Sequence, residues 1–156
     1  MPAVVVDQAP DRGRLVGGAP AADAISGISV TLMPVWEVEY TDEFDGWFQT
    51  LTEEEQDMVI ARVELLGSVG PGLGRPAVDS VHQSRHPNMK ELRAEGSIRT
   101  LFAFDPRRTA ILLIGGDKSP DDPGSPNWNR WYDRYTPIAD DLYDAHLDEL
   151  RQEGLL

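Results

Sequence analysis

The chain of 156 residues contains no cysteine. That absence excludes disulfide staples, thiolate nucleophiles and every cysteine-based metal site, and it fits a reducing, cytoplasmic setting. Histidine is scarce, with three copies. The longest purely apolar stretch runs only from Ala110 to Ile114, far short of the ~20 residues a membrane-spanning helix needs. No basic segment followed by an apolar one opens the chain, so secretion is not expected. Cations are also few: 14 Lys and Arg face 27 Asp and Glu, for a formal charge of −13. A charge of that sign argues against nucleic acid as a partner of the whole surface.

The placement of those few cations is uneven. Residues 75–134 hold ten of the 14 beside eight acids, whereas 34–74 hold ten acids and only Arg62. An acidic protein with one cationic stretch can still hold a phosphate-bearing ligand there. Hydrophobic residues are 40% and charged residues 26%, as expected of one globular domain with a core of its own.

Residues 1–33 are rich in Pro, Gly and Ala without a sustained period and suggest a flexible N-terminal extension, with the domain proper at 34–152. Val35 to Tyr40 alternates like a strand. Thr41 caps a short helix to Thr50, and Thr52-Glu53-Glu54-Glu55 forms a capping box that opens a second helix, stopped at Gly67. The four glycines between Gly67 and Gly74 lack the Lys-Ser/Thr of a nucleotide loop and read as a linker. Ala77 to Val81, Met89 to Arg93, Ile98 to Phe104 and Thr109 to Gly115 follow, the last three as an antiparallel meander. Ser125-Pro126 and Thr136-Pro137 each place a cap before a proline, predicting helices from Asn127 to Tyr135 and from Pro137 to about Gln152. The fold class is α+β: N-terminal strand, two-helix hairpin, three-stranded meander, C-terminal helix.

Side-chain alternation puts Glu91 and Arg93 on one face of their strand and Leu92 and Lys90 on the other. Arg99, Leu101 and Ala103 likewise oppose Ile98, Thr100, Phe102 and Phe104. Glu91, Arg93 and Arg99 are therefore expected to meet on a helix-free sheet face, with Lys118 in reach past the third strand. Three cations and one carboxylate converging in this way suit a phosphodiester, although an ion-paired solvent face gives the same pattern. His82 and His86 are four apart, but Pro87 disfavours the helix a metal pair would need. His86 is a candidate acid or base, His146 a packing residue on the last helix. Trp128 and Trp131 are candidates for stacking on bases or for packing.

Met89-Lys90-Glu91-Leu92-Arg93, Ile98-Arg99-Thr100-Leu101-Phe102-Ala103-Phe104 and Ala110 through Gly115-Gly116-Asp117-Lys118 resemble the RelE/HigB superfamily of toxins, in its phage-derived HigB-like branch. Trp131-Tyr132 and Pro137-Ile138-Ala139-Asp140 match that branch too. The resemblance spans roughly 35–150 and implies a RelE-like fold, a helix-turn-helix HigA-like antitoxin as partner, and cleavage of ribosome-bound mRNA without a cofactor or metal. It implies that Arg93, Arg99 and Lys118 occupy the basic positions of an RNA-binding sheet and that Tyr132 falls near a tyrosine used by some members. Further cations of the same block, Lys90, Arg107, Arg108, Arg130 and Arg134, are then expected to contact RNA. The sequence departs from the best-known RelE pattern, in which two lysines alternate before the Leu-Arg pair; Met89 and Glu91 stand there, and Lys90 has the wrong parity.

Metal-free RNA cleavage requires a base for the 2′-OH, charge stabilisation at the phosphorane and an acid for the leaving 5′-oxygen. Arginine keeps its proton, so Arg93 and Arg99 suit phosphate binding. Glu91 is the candidate base if its neighbours leave it free, and Lys118 or Tyr132 the acid. Two other readings use the same residues: a non-enzymatic binding module of RelE fold, or a ParE-like toxin aimed at a topoisomerase.

Overall fold

The computed structural model describes residues 3–9, 12–18, 35–118 and 130–156, the first two spans as backbone only. In chain order the elements are β1 (Ala3–Ala9), β2 (Arg12–Gly18), β3 (Val38–Tyr40), α1 (Asp42–Phe48), α2 (Glu53–Val69), β4 (Val78–Ser80), β5 (Lys90–Arg93), β6 (Ile98–Phe104), β7 (Ala110–Asp117) and α3 (Arg130–Gln152). Five strands in the order β3-β7-β6-β5-β4 form the sheet that carries the helices, and β1 and β2 continue it beyond β3. β3 runs parallel to β7; every other pair is antiparallel. The chain is thus α+β, with three α-helices among the described residues. The β1–β2 hairpin falls inside the segment expected as a flexible extension, where backbone pairing ties Gly13 to Tyr40 and Leu15 to Val38. The expected helix start at Asn127 lies outside the described residues.

Local chemistry explains the helix starts. Thr41 Oγ1 accepts from Phe44 N at 3.0 Å and donates to the Leu113 carbonyl at 2.6 Å, so the cap of α1 is also its weld to β7. Thr52 and Glu55 exchange side-chain-to-backbone bonds of 3.1 and 2.9 Å, satisfying two of the free N–H groups at the head of α2. Acidic residues fill both first turns, where the helix dipole favours them. The expected strand at Val35 starts three residues late, because the N–H groups of Val35 and Trp36 both donate to the Gly67 carbonyl at the end of α2.

Two cores sandwich the sheet. Val38, Tyr40, Leu92, Ile98, Phe102 and Leu112 pack under Phe44, Val59, Val63 and Leu66 of α1 and α2. On the opposite face Met89, Leu101, Ala103, Ile111 and Leu113 pack under Trp131, Ala139 and Tyr143 of α3. The face expected to be free of helices is therefore covered by α3, since Leu101 and Ala103, at 0% exposure, are apolar surface that needs a lid. The two helices expected around Pro137 are one: α3 runs through the proline. The lost backbone bond costs about 3 kcal/mol, and burial of Trp131 before it and Ala139, Tyr143 and Leu150 after it holds both halves against the rest of the fold. Thr136, expected as a cap, is instead buried inside the helix.

Candidate active site

Leu101 faces Ile114 and Phe102 faces Leu112, so Leu113 is the extra residue of a bulge between β6 and β7. Beyond it come two glycines that each make room for a tryptophan. The Trp47 ring of α1 occupies the space a Cβ on Gly115 would take, and the Trp131 indole that of Gly116, whose Cβ would lie 2.7 Å from Nε1. The first contact docks α1 and the second docks Trp131 of α3 at the end of β7, beside the β5–β6 turn. Gly96 enables that turn with φ of +80°.

The structure brings Glu91, Arg93, Arg99, Lys118 and Tyr132 together here. Arg93 and Arg99 are directly opposite in the β5–β6 register. Glu91, 1% exposed, accepts from Arg93 Nε through Oε1 at 2.7 Å, while its Oε2 has no hydrogen bond. Arg93 also reaches Asp79 at 3.1 Å. Burial pushes the Asp79 carboxyl up, but bonds from Arg75 and Ser80 and the charges of Arg75 and Arg93 outweigh it and hold the pKa low. Arg99 Nη1 donates to the carbonyls of Gly96 and Ile98 at 2.9 and 3.0 Å. No carboxylate among the described residues pairs with it, and its buried Nε has no partner.

Lys118 Nζ donates to the Tyr132 hydroxyl at 3.1 Å and lies 4.4 Å from the ring centroid. Burial lowers the Lys118 pKa, with Arg99 and Arg93 adding to the effect and Glu91 opposing it. Burial raises the Tyr132 phenol well above its ordinary range, helped by the nearby Glu91 carboxylate. The lysine is thereby the readier proton donor and the phenol the poorer one.

The other expected contacts are elsewhere. Lys90 projects from the opposite parity of β5. Arg107 is bound to Asp105 at 2.8 Å and Glu39 at 3.0 Å in the β6–β7 turn, at the far end of β6, and Arg108 is exposed in the same turn. Arg130 and Arg134 are exposed on the first two turns of α3, Arg134 against the Tyr135 ring. His86 is held by Asp144 at 2.8 Å and packs edge-on to Tyr143. His146 is buried against Asp105, and Trp128 lies outside the described residues. Asp79 had no sequence signal, because its register position opposite Glu91 depends on β4 pairing with β5; Trp131, a candidate for stacking or packing, is buried, and its Nε1 has no hydrogen-bond partner. Among the described residues no group of three or more His, Asp or Glu side chains converges on a metal position, and no described helix is long and apolar enough to cross a membrane.

Compared with known proteins, residues 46–144 match the family described as phage derived protein Gp49-like (DUF891). The chain belongs to the Gp49-like family. The match runs from α1 through most of α3 and includes all five clustered residues. Two Mycobacterium tuberculosis (strain ATCC 25618 / H37Rv) proteins resemble this Gp49-like chain. One, named "Putative toxin HigB3", is 52% identical over 99 residues, covering 63% of this chain and 82% of that protein. The other, named "Putative toxin HigB2", is 39% identical over 127 residues, covering 79% of this chain and 60% of that protein.

Proposed function

We propose that this Gp49-like protein is the toxin of a toxin–antitoxin pair, built on a RelE-like arrangement, and that it cuts ribosome-bound mRNA without a metal in the cytoplasm while a helix-turn-helix antitoxin restrains it. The names of the two mycobacterial relatives support the first part. The observation that carries the chemistry is the convergence of Arg93, Arg99 and Lys118 on Glu91 and Tyr132 at the start of α3.

In this reading Arg99, free of any carboxylate among the described residues, binds the scissile phosphate with Arg93 and takes up charge in the transition state. Glu91 accepts the 2′-OH proton through Oε2, the oxygen that Arg93 does not occupy. The 2′-oxygen bonds to phosphorus, the bond to the 5′-oxygen breaks, and Lys118 protonates that leaving oxygen. Tyr132 holds Lys118 Nζ in place. Lys90, Arg107, Arg108, Arg130 and Arg134 act at most as peripheral attraction for RNA, given their distance in the fold or their exposure.

One observation favours the second reading, a non-catalytic binding module: Arg93 is already engaged by Glu91 and Asp79. Expression in a bacterial host separates the two. Arg99→Ala should relieve growth arrest and transcript cleavage while circular dichroism stays unchanged. Arg85, bound to Asp140, Asp141 and Asp144, clamps a loop to α3 and is unsuitable as a neutral control; Arg151→Ala, on an exposed pair with Asp148, serves instead. A parent protein that arrests growth but cuts no transcript would favour the binding module.

A further inference from the structure

Buried polar atoms almost always have a hydrogen-bond partner, so those that lack one point to something missing. Among the described residues the unpartnered buried atoms are Glu64 Oε1, Glu91 Oε2, Arg99 Nε, Trp131 Nε1 and Thr136 Oγ1. Three of these five belong to the cluster at the head of α3, and two of the three are donors. Arg99 and Gly116 are cross-strand partners, and such partners send their Cβ directions to the same sheet face, about 5 Å apart. Trp131 Nε1 lies over the Cβ position of Gly116. Arg99 and Trp131 therefore lie on one face of the sheet at the level of Gly116, each with an unused N–H group.

We infer that Trp131 Nε1 and Arg99 Nε together cradle one phosphate oxygen, with Gly116 as the floor that lets the indole sit there. The inference deepens the reading of the site as one that acts on RNA and rests on it. An anion is the complementary guest: both groups only donate, and Lys118 and Arg93 stand beside them. Trp131, 6% exposed, is thus more than packing. Its neutral donor directs the phosphate without adding a charge that would disturb Lys118. Both nitrogens are closed to water.

Full-length protein with 15N-labelled tryptophan tests this directly. The Trp131 indole signal, assigned by its loss in Trp131→Phe, is followed during titration with inorganic phosphate and, separately, with a 2′-O-methyl dinucleotide that cannot be cleaved. The Trp131 indole proton should move downfield with both, while Trp36, packed on Gly70, and Trp47, packed on Gly115 from the opposite core, stay in place. Gly116→Ala should abolish the shift, and Trp131→Phe should weaken dinucleotide binding about tenfold. Because the titration reads the parent chain, poor folding of a variant does not blunt it. A response to inorganic phosphate alone supports the anion cradle but overturns its role in RNA binding. An unmoved Trp131 signal while binding shifts other resonances of the site overturns the cradle. If Trp131 responds to both probes but the protein cuts no transcript, the cradle stands and the nuclease reading falls.

Discussion

Asp105→Ala probes how α3 is held over the site. The Asp105 side chain is fully shielded from water. Its Oδ1 accepts from the backbone N–H groups of Arg107 and Thr109 at 2.8 and 3.2 Å. Its Oδ2 accepts from Arg107 Nε and Nη2 at 3.0 and 2.8 Å and meets His146 Nε2 of α3 at 2.8 Å. Removing one partner from a buried ionic network costs about 3–5 kcal/mol, because the remaining groups stay buried without compensation. For a chain of this length that is a fall in Tm of about 6–20 °C. The effect should depend on pH. Burial pushes the Asp105 carboxyl up, but the bonds from His146, Arg107 and Thr109 and the charge of Arg107 outweigh it, so the folded pKa lies below the ordinary value. A depressed carboxyl contributes stability that is present above its unfolded pKa, near 4, and is lost as pH falls through the folded pKa. Urea unfolding of parent and variant at pH 7 and pH 3 measures both. A difference below 1 kcal/mol at pH 7, or one that grows on acidification, would refute the reasoning.

Three more outcomes follow from the same structure. If Lys118 is the acid, cleavage should decline as pH rises through its lowered pKa, at a value below the ordinary 10.5; Lys118→Arg should abolish that decline and slow the reaction about 10²–10⁴-fold, and an unchanged pH–rate profile would remove Lys118 from the chemistry. Deleting residues 1–32 should lower Tm by no more than a few degrees, since β3 keeps its pairing with β7; a larger fall in a thermal melt would show that the β1–β2 hairpin belongs to the domain. Co-expression with an adjacent helix-turn-helix gene should give a complex that survives gel filtration at physiological salt, and separate elution of the two proteins would contradict the proposed partnership.

The parts of the molecule legible in the sequence are those set by near neighbours. The Thr52–Glu55 box and the Thr41 cap need only three-residue spacing. The division between Leu92 and Ile98 on one face and Glu91, Arg93 and Arg99 on the other needs only strand alternation. What the sequence hides depends on contacts between distant segments. The parallel pairing of β3 with β7 joins residues some 70 positions apart, and Arg85 meets its three aspartates only after α3 folds back. Pro137 looks like a helix boundary because local chemistry disfavours it, and only packing on the sheet carries the helix through. The α3 lid follows from the same packing, which turns Glu91 from an expected surface group into a buried one and leaves Arg99 Nε and Trp131 Nε1 shielded without partners.

The central claim is that this site breaks an RNA chain by attack of a 2′-oxygen. That route leaves a 5′-hydroxyl on the downstream fragment, whereas a metal-activated water that expels the 3′-oxygen leaves a 5′-phosphate. The most direct measurement is the 5′-end chemistry of transcripts cut by the purified protein on translating ribosomes, with folded Arg99→Ala in parallel. The expected result is fragments that ligate only after kinase treatment, at least tenfold fewer with Arg99→Ala. Fragments that ligate without kinase, or cleavage equal in the two proteins, would contradict it.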